Sequence, residues 1–142
     1  MNAPEKKILI VDNEPELTDI LKVALEGMGS FLVQTENDPS HALSTAKKFA
    51  PDLIIMDIKM PELDGADVVI QLKDEPTLSE TPIVFLTGTV TTPVIVTHGK
   101  KSGGLRFLPK TMRFEAMVAC LQGILLGTAP HPPADSLENR AA

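Results

Sequence analysis

Short apolar runs recur along the chain without the alternation of apolar and polar positions that marks a half-exposed strand. The clearest runs are residues 8–11, 53–56, 83–86 and, less purely, 105–108. Runs of this length are typical of strands that are buried on both faces of a parallel sheet. Residues 31–35 form a fifth candidate strand, and because this run is less apolar we expect it nearer an edge of the sheet.

The segments between the runs have apolar residues at helical spacing. Over residues 17–28 they recur every three or four positions, and nearby glycines supply a stop. Residues 37–39 (Asn-Asp-Pro) form a good helix start, with a capping side chain and a proline in the first turn. Further helices are predicted at residues 66–73 and 114–126. A weaker one is expected at residues 91–102, which are rich in Thr and Val.

Strand and helix thus alternate five times, which predicts a doubly wound α/β domain with helices on both faces of a parallel sheet. We expect this domain to span residues 1–127. From residue 128 the composition changes to Pro, Ala and polar residues. Residues 128–142 are therefore predicted to be a poorly ordered tail or a linker.

Composition and net charge limit the classes of binding partner that we expect for the domain. The chain has 142 residues, with 43% apolar and 23% charged residues, as in a globular protein. Its net charge of -6 argues against nucleic acid or an anionic membrane as the main partner, and it permits cation binding. No segment is apolar enough to cross a membrane or to serve as a secretion signal. With Cys120 as the one cysteine, we expect a cytoplasmic location.

Polar residues with complementary chemistry follow four of the predicted strands. Asp12 follows the first apolar run, Asp57 the third, Thr87 the fourth and Lys110 the fifth. In such a sheet the functional crevice lies outside the carboxyl ends of the strands, so we expect these four side chains to converge. Carboxylate oxygens can hold Mg²⁺, while an ammonium and a hydroxyl can stabilise phosphoryl oxygens. The pattern predicts phosphoryl transfer to a carboxylate.

Each of these residues alone also has an ordinary structural explanation. Asp12 could be a helix N-cap, and Asp57 could be a loop or cap residue. Thr87 could be a turn former, and Lys110 a solvated charge. The joint placement after four different strands is what favours a functional site.

The sequence around these residues resembles the response-regulator receiver family, over roughly residues 7–126. The segments that carry the resemblance are ILIVDNE (8–14), PDLIIMDIKMPELDG (51–65), Thr87-Gly88 and Leu108-Pro109-Lys110. The most specific piece is Asp57 followed by Met60-Pro61 and then Asp64-Gly65. The resemblance implies a flavodoxin-like (βα)5 fold with five helices and the parallel sheet order 2-1-3-4-5.

The resemblance also implies a role for each site residue. Asp57 would accept the phosphoryl group, and Lys110 would pair with it. The Mg²⁺ ligands would be Asp12, Asn13, Asp57 and the main-chain carbonyl of Lys59. Thr87 would be the switch hydroxyl and Phe107 the switch aromatic residue.

The partners that the resemblance implies are proteins. A histidine kinase or a phosphotransfer protein would donate the phosphoryl group, and an unknown downstream protein would bind the switched surface. A homodimer could also form through that surface. The chain would not be an enzyme, beyond assisting its own phosphotransfer and dephosphorylation.

Three departures from the family pattern leave a second interpretation open. Asn13 stands where the family usually has a second acid, Gly88 replaces the commoner alanine, and Thr111 follows the lysine in place of proline. A non-proline bond at that place is expected to be trans. Asn13, Thr111 and the weak helix expected at residues 91–102 favour a pseudo-receiver, which would use the same fold as a phosphorylation-independent protein-binding module. The retention of Asp57, Thr87 and Lys110 opposes it.

Two other families fit the residues poorly. A haloacid-dehalogenase-type phosphatase would need an acid two residues after Asp57, where this chain has Lys59. A flavodoxin would bind phosphate after the first strand, where Asp12 and Glu14 would repel it. The chain also lacks the G-x-G-x-x-G pattern of dinucleotide-binding proteins.

Overall fold

The structure is a computed structural model, and it describes residues 5–28, 31–57, 65–87, 94–96, 105–109 and 112–126. For residues 65, 66, 87, 94–96, 105 and 107 it describes the main chain alone. The strands are β1 (Lys6–Val11), β2 (Phe31–Glu36), β3 (Leu53–Asp57), β4 (Ile83–Thr87), β5 (Val94–Val96) and β6 (Leu105–Pro109). The α-helices are α1 (Pro15–Met28), α2 (Ala42–Phe49), α3 (Gly65–Asp74) and α4 (Phe114–Leu126), and a 3-10 turn, Pro39–His41, precedes α2.

The strands form one sheet in the order β2-β1-β3-β4-β6-β5. The first five of these strands are mutually parallel, which confirms the predicted flavodoxin-like sheet order 2-1-3-4-5. β2 lies at one edge, as its lower apolar content predicted. β3 lies at the centre, and all five of its residues are buried.

The prediction of a helix at residues 91–102 is wrong for residues 94–96, which form the short strand β5. This strand pairs antiparallel with β6, and Ile95 lies opposite Arg106. Its sequence is Val-Ile-Val. Because branching at Cβ restricts side-chain rotamers in a helix and suits a strand, local preference favours the strand here.

Apolar residues fill two layers, one on each face of the sheet. On one face, alternate residues of the strands pack against α1 and α4, with Leu25 and Leu121 fully buried. On the other face, the intervening residues pack against α2 and α3, with Ala46 and Leu72 fully buried. Each central strand therefore contributes to both layers, which fixes its register and the position of its carboxyl end.

The outer edge of β2 is bonded by side chains of α1. The Glu26 carboxylate accepts the Val33 N–H at 3.0 Å, and the Lys22 ammonium donates to the Val33 carbonyl at 2.7 Å. The Val33 N–H, followed by Lys22, lowers the pKa of Glu26 below its ordinary value. These bonds occupy main-chain groups that an exposed edge strand would otherwise offer to another chain.

No helix among the described residues is both long enough and apolar enough to cross a membrane. The predicted tail, residues 128–142, lies outside the described residues.

Candidate functional site

Two buried carboxylates lie side by side at the carboxyl ends of β1 and β3. The last paired residues of these strands are Val11 and Met56, so Asp12 and Asp57 occupy the next position of the same register. Neighbouring strands are about 4.8 Å apart, which brings the two main chains to roughly that distance. Asp12 is 2% exposed and Asp57 is 5% exposed. The structure thus brings together the two acids that the sequence placed after the first and third apolar runs.

The loop after β1 shapes the position of the Asp12 carboxylate. Its Oδ1 accepts the Glu14 N–H at 3.0 Å, and the Glu14 carbonyl accepts the Thr18 N–H at 3.1 Å as α1 begins. Pro15 is the first helical residue, where a missing N–H costs nothing. Asp12 is therefore not the N-cap of α1, because Glu14 is the residue that directly precedes the helix; the Asp12 carboxylate instead orders the turn that leads into α1.

The end of β2 also holds the Asp12 loop, a role that the sequence did not indicate. Asn37 Nδ2 donates to the Asp12 carbonyl at 2.8 Å and to Thr18 Oγ1 at 3.0 Å. The Asp12 N–H donates to the Glu36 carbonyl at 3.1 Å. The sequence assigned Asn37 to a helix start, and that start is confirmed at Asp38, which accepts the Ser40 N–H. The signal that could have found Asn37 is its place immediately after a strand.

The other predicted site residues are described to different extents. Asn13 is half-buried beside Asp12. The main chain of Thr87 ends β4, next to Leu86, which lies opposite Asp57. The main chain of Phe107 lies in β6. Lys59 and Lys110 lie outside the described residues, although Lys110 directly follows Pro109, which pairs with Thr87.

The donor set of this site suits a hard divalent cation. Two carboxylates and the Asn13 amide can supply oxygen ligands, and Mg²⁺ accepts one or two carboxylates while it keeps several waters. Within the described ranges, no three His, Cys, Asp or Glu side chains lie close enough together to share a metal ion. The exposed Glu14 side chain thus does not join the two aspartates as a third acid. Two adjacent buried carboxylates repel each other, and a cation between them relieves that repulsion.

Comparison with known proteins identifies relatives along almost the whole described chain. The family model described as the response regulator receiver domain matches residues 8–122. The chain is 33% identical to the transcriptional regulatory protein TrcR of Mycobacterium tuberculosis, over 84% of this chain and 45% of that protein. It is 32% identical to the DNA-binding response regulator MtrA of Mycolicibacterium smegmatis, over 93% of this chain and 56% of that protein. The chain spans about half the length of these curated relatives.

Solved structures with the same fold include separate receiver domains. The chemotaxis protein CheY4 of Vibrio cholerae is 26% identical with a TM-score of 0.69, over 84% of this chain and 98% of that one. The signal receiver domain of a signal transduction histidine kinase from Syntrophus aciditrophicus is 25% identical with a TM-score of 0.67, over 89% of this chain and 94% of that one.

Proposed function

Because the chain belongs to the response regulator receiver domain family of two-component signal transduction, we propose that it accepts a phosphoryl group on Asp57. The single observation that carries the proposal is the buried pair of Asp12 and Asp57 in one register position. A buried carboxylate beside a second one is costly unless a cation or a proton compensates the charge. Such a pair after two parallel strands is better explained by cation-assisted chemistry than by packing.

Asp12, Asn13 and Asp57 would hold Mg²⁺ through side-chain oxygens, with the main-chain carbonyl of Lys59 as a further ligand. When bound, Mg²⁺ neutralises charge on the carboxylates and on the transferring phosphoryl oxygens. In the transfer itself, the P–N bond of a phosphohistidine breaks and a P–O bond to Asp57 forms. The imidazole leaves with the electron pair of the broken bond. Lys110 and Thr87 would then contact the phosphoryl oxygens.

A histidine kinase or a phosphotransfer protein is the proposed donor, because a phosphohistidine is the substrate that this site would accept. Phosphorylation adds charge at the carboxyl edge of the sheet, and Thr87 and Phe107 would respond by shifting between two conformations. The proposed output is a protein contact made by the receiver domain, residues 1–127, and a homodimer is one form that it could take. Residues 128–142 would be a tail or a linker.

The proposal is tested by the intact mass of the protein after incubation with acetyl phosphate and Mg²⁺. We expect a gain of one phosphoryl group, ~80 Da, in the wild type and none in Asp57→Asn. Asp52→Asn is the matched control. Asp52 precedes the same strand and lies exposed at its opposite end, where its Oδ2 accepts the Lys7 N–H at 2.8 Å. This control should be phosphorylated like the wild type.

The pseudo-receiver is the second candidate function, and two observations favour it. Asn13 removes a charge from the cation site, and β5 occupies residues where the resemblance implied a helix. A folded wild-type protein that gains no mass, with or without Mg²⁺, would refute phosphorylation on Asp57. That result would favour the phosphorylation-independent binding module, whose test is then a protein that binds the unphosphorylated chain.

A further inference from the structure

The residue that follows β2 fixes the main chain of Asp12 from the side. Asp12 donates its N–H to the Glu36 carbonyl at 3.1 Å and accepts the Asn37 amide on its own carbonyl at 2.8 Å. Consecutive residues at the end of β2 thus bind both main-chain groups of Asp12. This aspartate is held in position by the neighbouring strand as well as by its own loop.

The same amide connects the Asp12 loop to the first turn of α1. Asn37 Nδ2 donates to Thr18 Oγ1 at 3.0 Å, and that hydroxyl donates to the Pro15 carbonyl at 2.9 Å. Thr18 is fully buried. Since its one hydroxyl proton is used on Pro15, Thr18 can only accept from Asn37. The position therefore requires a side chain with two N–H donors, which an amide supplies and a carboxylate does not.

We propose that Asn37 is a positioning residue for the Asp12 carboxylate and, through it, for the cation site. The inference rests on the proposed function, because it concerns the same two aspartates. Asn37 orients the Asp12 carbonyl, and the orientation of this carbonyl sets the path of the turn from Asp12 to Glu14. The Glu14 N–H at the end of this turn donates to Asp12 Oδ1 and so fixes the direction of the carboxylate. Groups that orient metal ligands from behind typically change metal affinity by about 10- to 100-fold when they are removed.

Asn37→Ala and Asn37→Asp test this role through the affinity for Mn²⁺, measured from the electron paramagnetic resonance signal of the free ion. We expect Asn37→Ala to bind Mn²⁺ about tenfold more weakly than the wild type. Asn37→Asp is the decisive variant. It adds a negative charge near the site, so charge alone would tighten binding, whereas loss of the two donors should weaken it.

Gln34→Glu is the matched control, because it adds the same charge at an exposed position of β2, the strand that Asn37 follows. We expect it to bind Mn²⁺ at least as tightly as the wild type. Tighter binding by Asn37→Asp, or unchanged binding by Asn37→Ala, would overturn the positioning role. Thermal unfolding in EDTA checks that each variant is folded, and Asn37→Ser replaces Asn37→Ala if the latter does not fold.

Amide hydrogen exchange separates this inference from the proposed function. In the metal-free protein, we expect Asn37→Ala to speed exchange at Asn13 and Glu14, while the amides of β3 exchange as in the wild type. Unchanged exchange at Asn13 and Glu14 would refute the positioning role whether or not a cation binds. If the wild type binds no Mn²⁺ but the exchange rates change as expected, the cation site fails and the positioning of Asp12 stands.

Discussion

Asn13 is the residue at which the charge of the site can be restored by one substitution. It is half-buried next to Asp12, and a carboxylate there would add a third negative charge to the proposed cation site. We expect Asn13→Asp to tighten Mn²⁺ binding roughly tenfold, since one added charge a few ångströms away is worth at least 1 kcal/mol at a partly buried site. The same electron paramagnetic resonance titration measures it. If Asn13→Asp tightens binding no more than Gln34→Glu does, Asn13 does not face the cation.

The sequence predicted Asp12 and Asp57 because each directly follows an apolar run, and residues at that place in a parallel sheet share one edge. It did not predict the role of Asn37, which acts on a main-chain carbonyl and on a buried hydroxyl. The place of Asn37 immediately after a strand marks it as a candidate, but its partners do not follow from the sequence, because one is a main-chain carbonyl and the other lies 19 residues away in α1.

At the scale of elements, the apolar runs predicted the strands well, whereas the expected alternation of strands and helices gave a wrong prediction at one place. β1, β3 and β4 begin or end within two residues of their predicted bounds, because both faces of each are buried and their side chains have to be apolar. Residues 94–96 were assigned to a helix because a repeating strand–helix pattern required one. Their Val-Ile-Val sequence favours a strand, and antiparallel pairing with β6 supplies its hydrogen bonds.

α1 is the described helix that begins beside Asp12, and it exposes two branched apolar side chains. Ile20 is 56% exposed and Val23 is 72% exposed, one turn apart on the same face. A protein that brings a phosphohistidine to Asp57 has to contact the elements around the site. We expect the double variant Ile20→Glu with Val23→Glu to slow phosphotransfer from a phosphorylated histidine-containing protein at least tenfold, because a contact over these positions would bury two unpaired carboxylates.

Phosphorylation by acetyl phosphate is the control that separates a lost contact with the donor protein from damage to the site itself. Acetyl phosphate is too small to contact Ile20 or Val23, so its rate of phosphorylating the double variant should match the wild type. The free energy of unfolding should change by about 0.5 kcal/mol or less, as for most surface substitutions. A double variant that accepts phosphoryl groups from both donors at wild-type rates would show that α1 makes no essential contact with the donor protein.

At the scale of the whole molecule, the site and the stability of the fold are linked, because β1 and β3 both position the two aspartates and fill the apolar core. Alternate residues of these strands are buried in the two apolar layers, so the strands cannot shift without disrupting both. The two aspartates are therefore held next to each other by the entire core. In the proposed function, a cation bound by both carboxylates would relieve the repulsion between their charges.

This coupling predicts opposite effects of one substitution in the two metal states. Asp12→Asn keeps an oxygen that can accept the Glu14 N–H while it removes one of the adjacent charges. In EDTA we expect it to raise the free energy of unfolding by about 1 kcal/mol or more, since like-charge repulsion is relieved. Wild type with Mg²⁺ at about ten times the dissociation constant should gain about 1.4 kcal/mol, or roughly 3–6 °C in Tm. Asp12→Asn should gain almost nothing.

Thermal unfolding followed by circular dichroism, in EDTA and in a Mg²⁺ series, measures both effects. Asp19→Asn is the control, because it removes the same charge from an exposed position of α1 and should keep the full response to Mg²⁺. Two results would contradict the coupling: an Asp12→Asn protein that is less stable than the wild type in EDTA, or one that keeps the wild-type gain with Mg²⁺. The first result would mean that repulsion between Asp12 and Asp57 does not lower the stability of the metal-free protein. The second would mean that Asp12 does not contribute to Mg²⁺ binding.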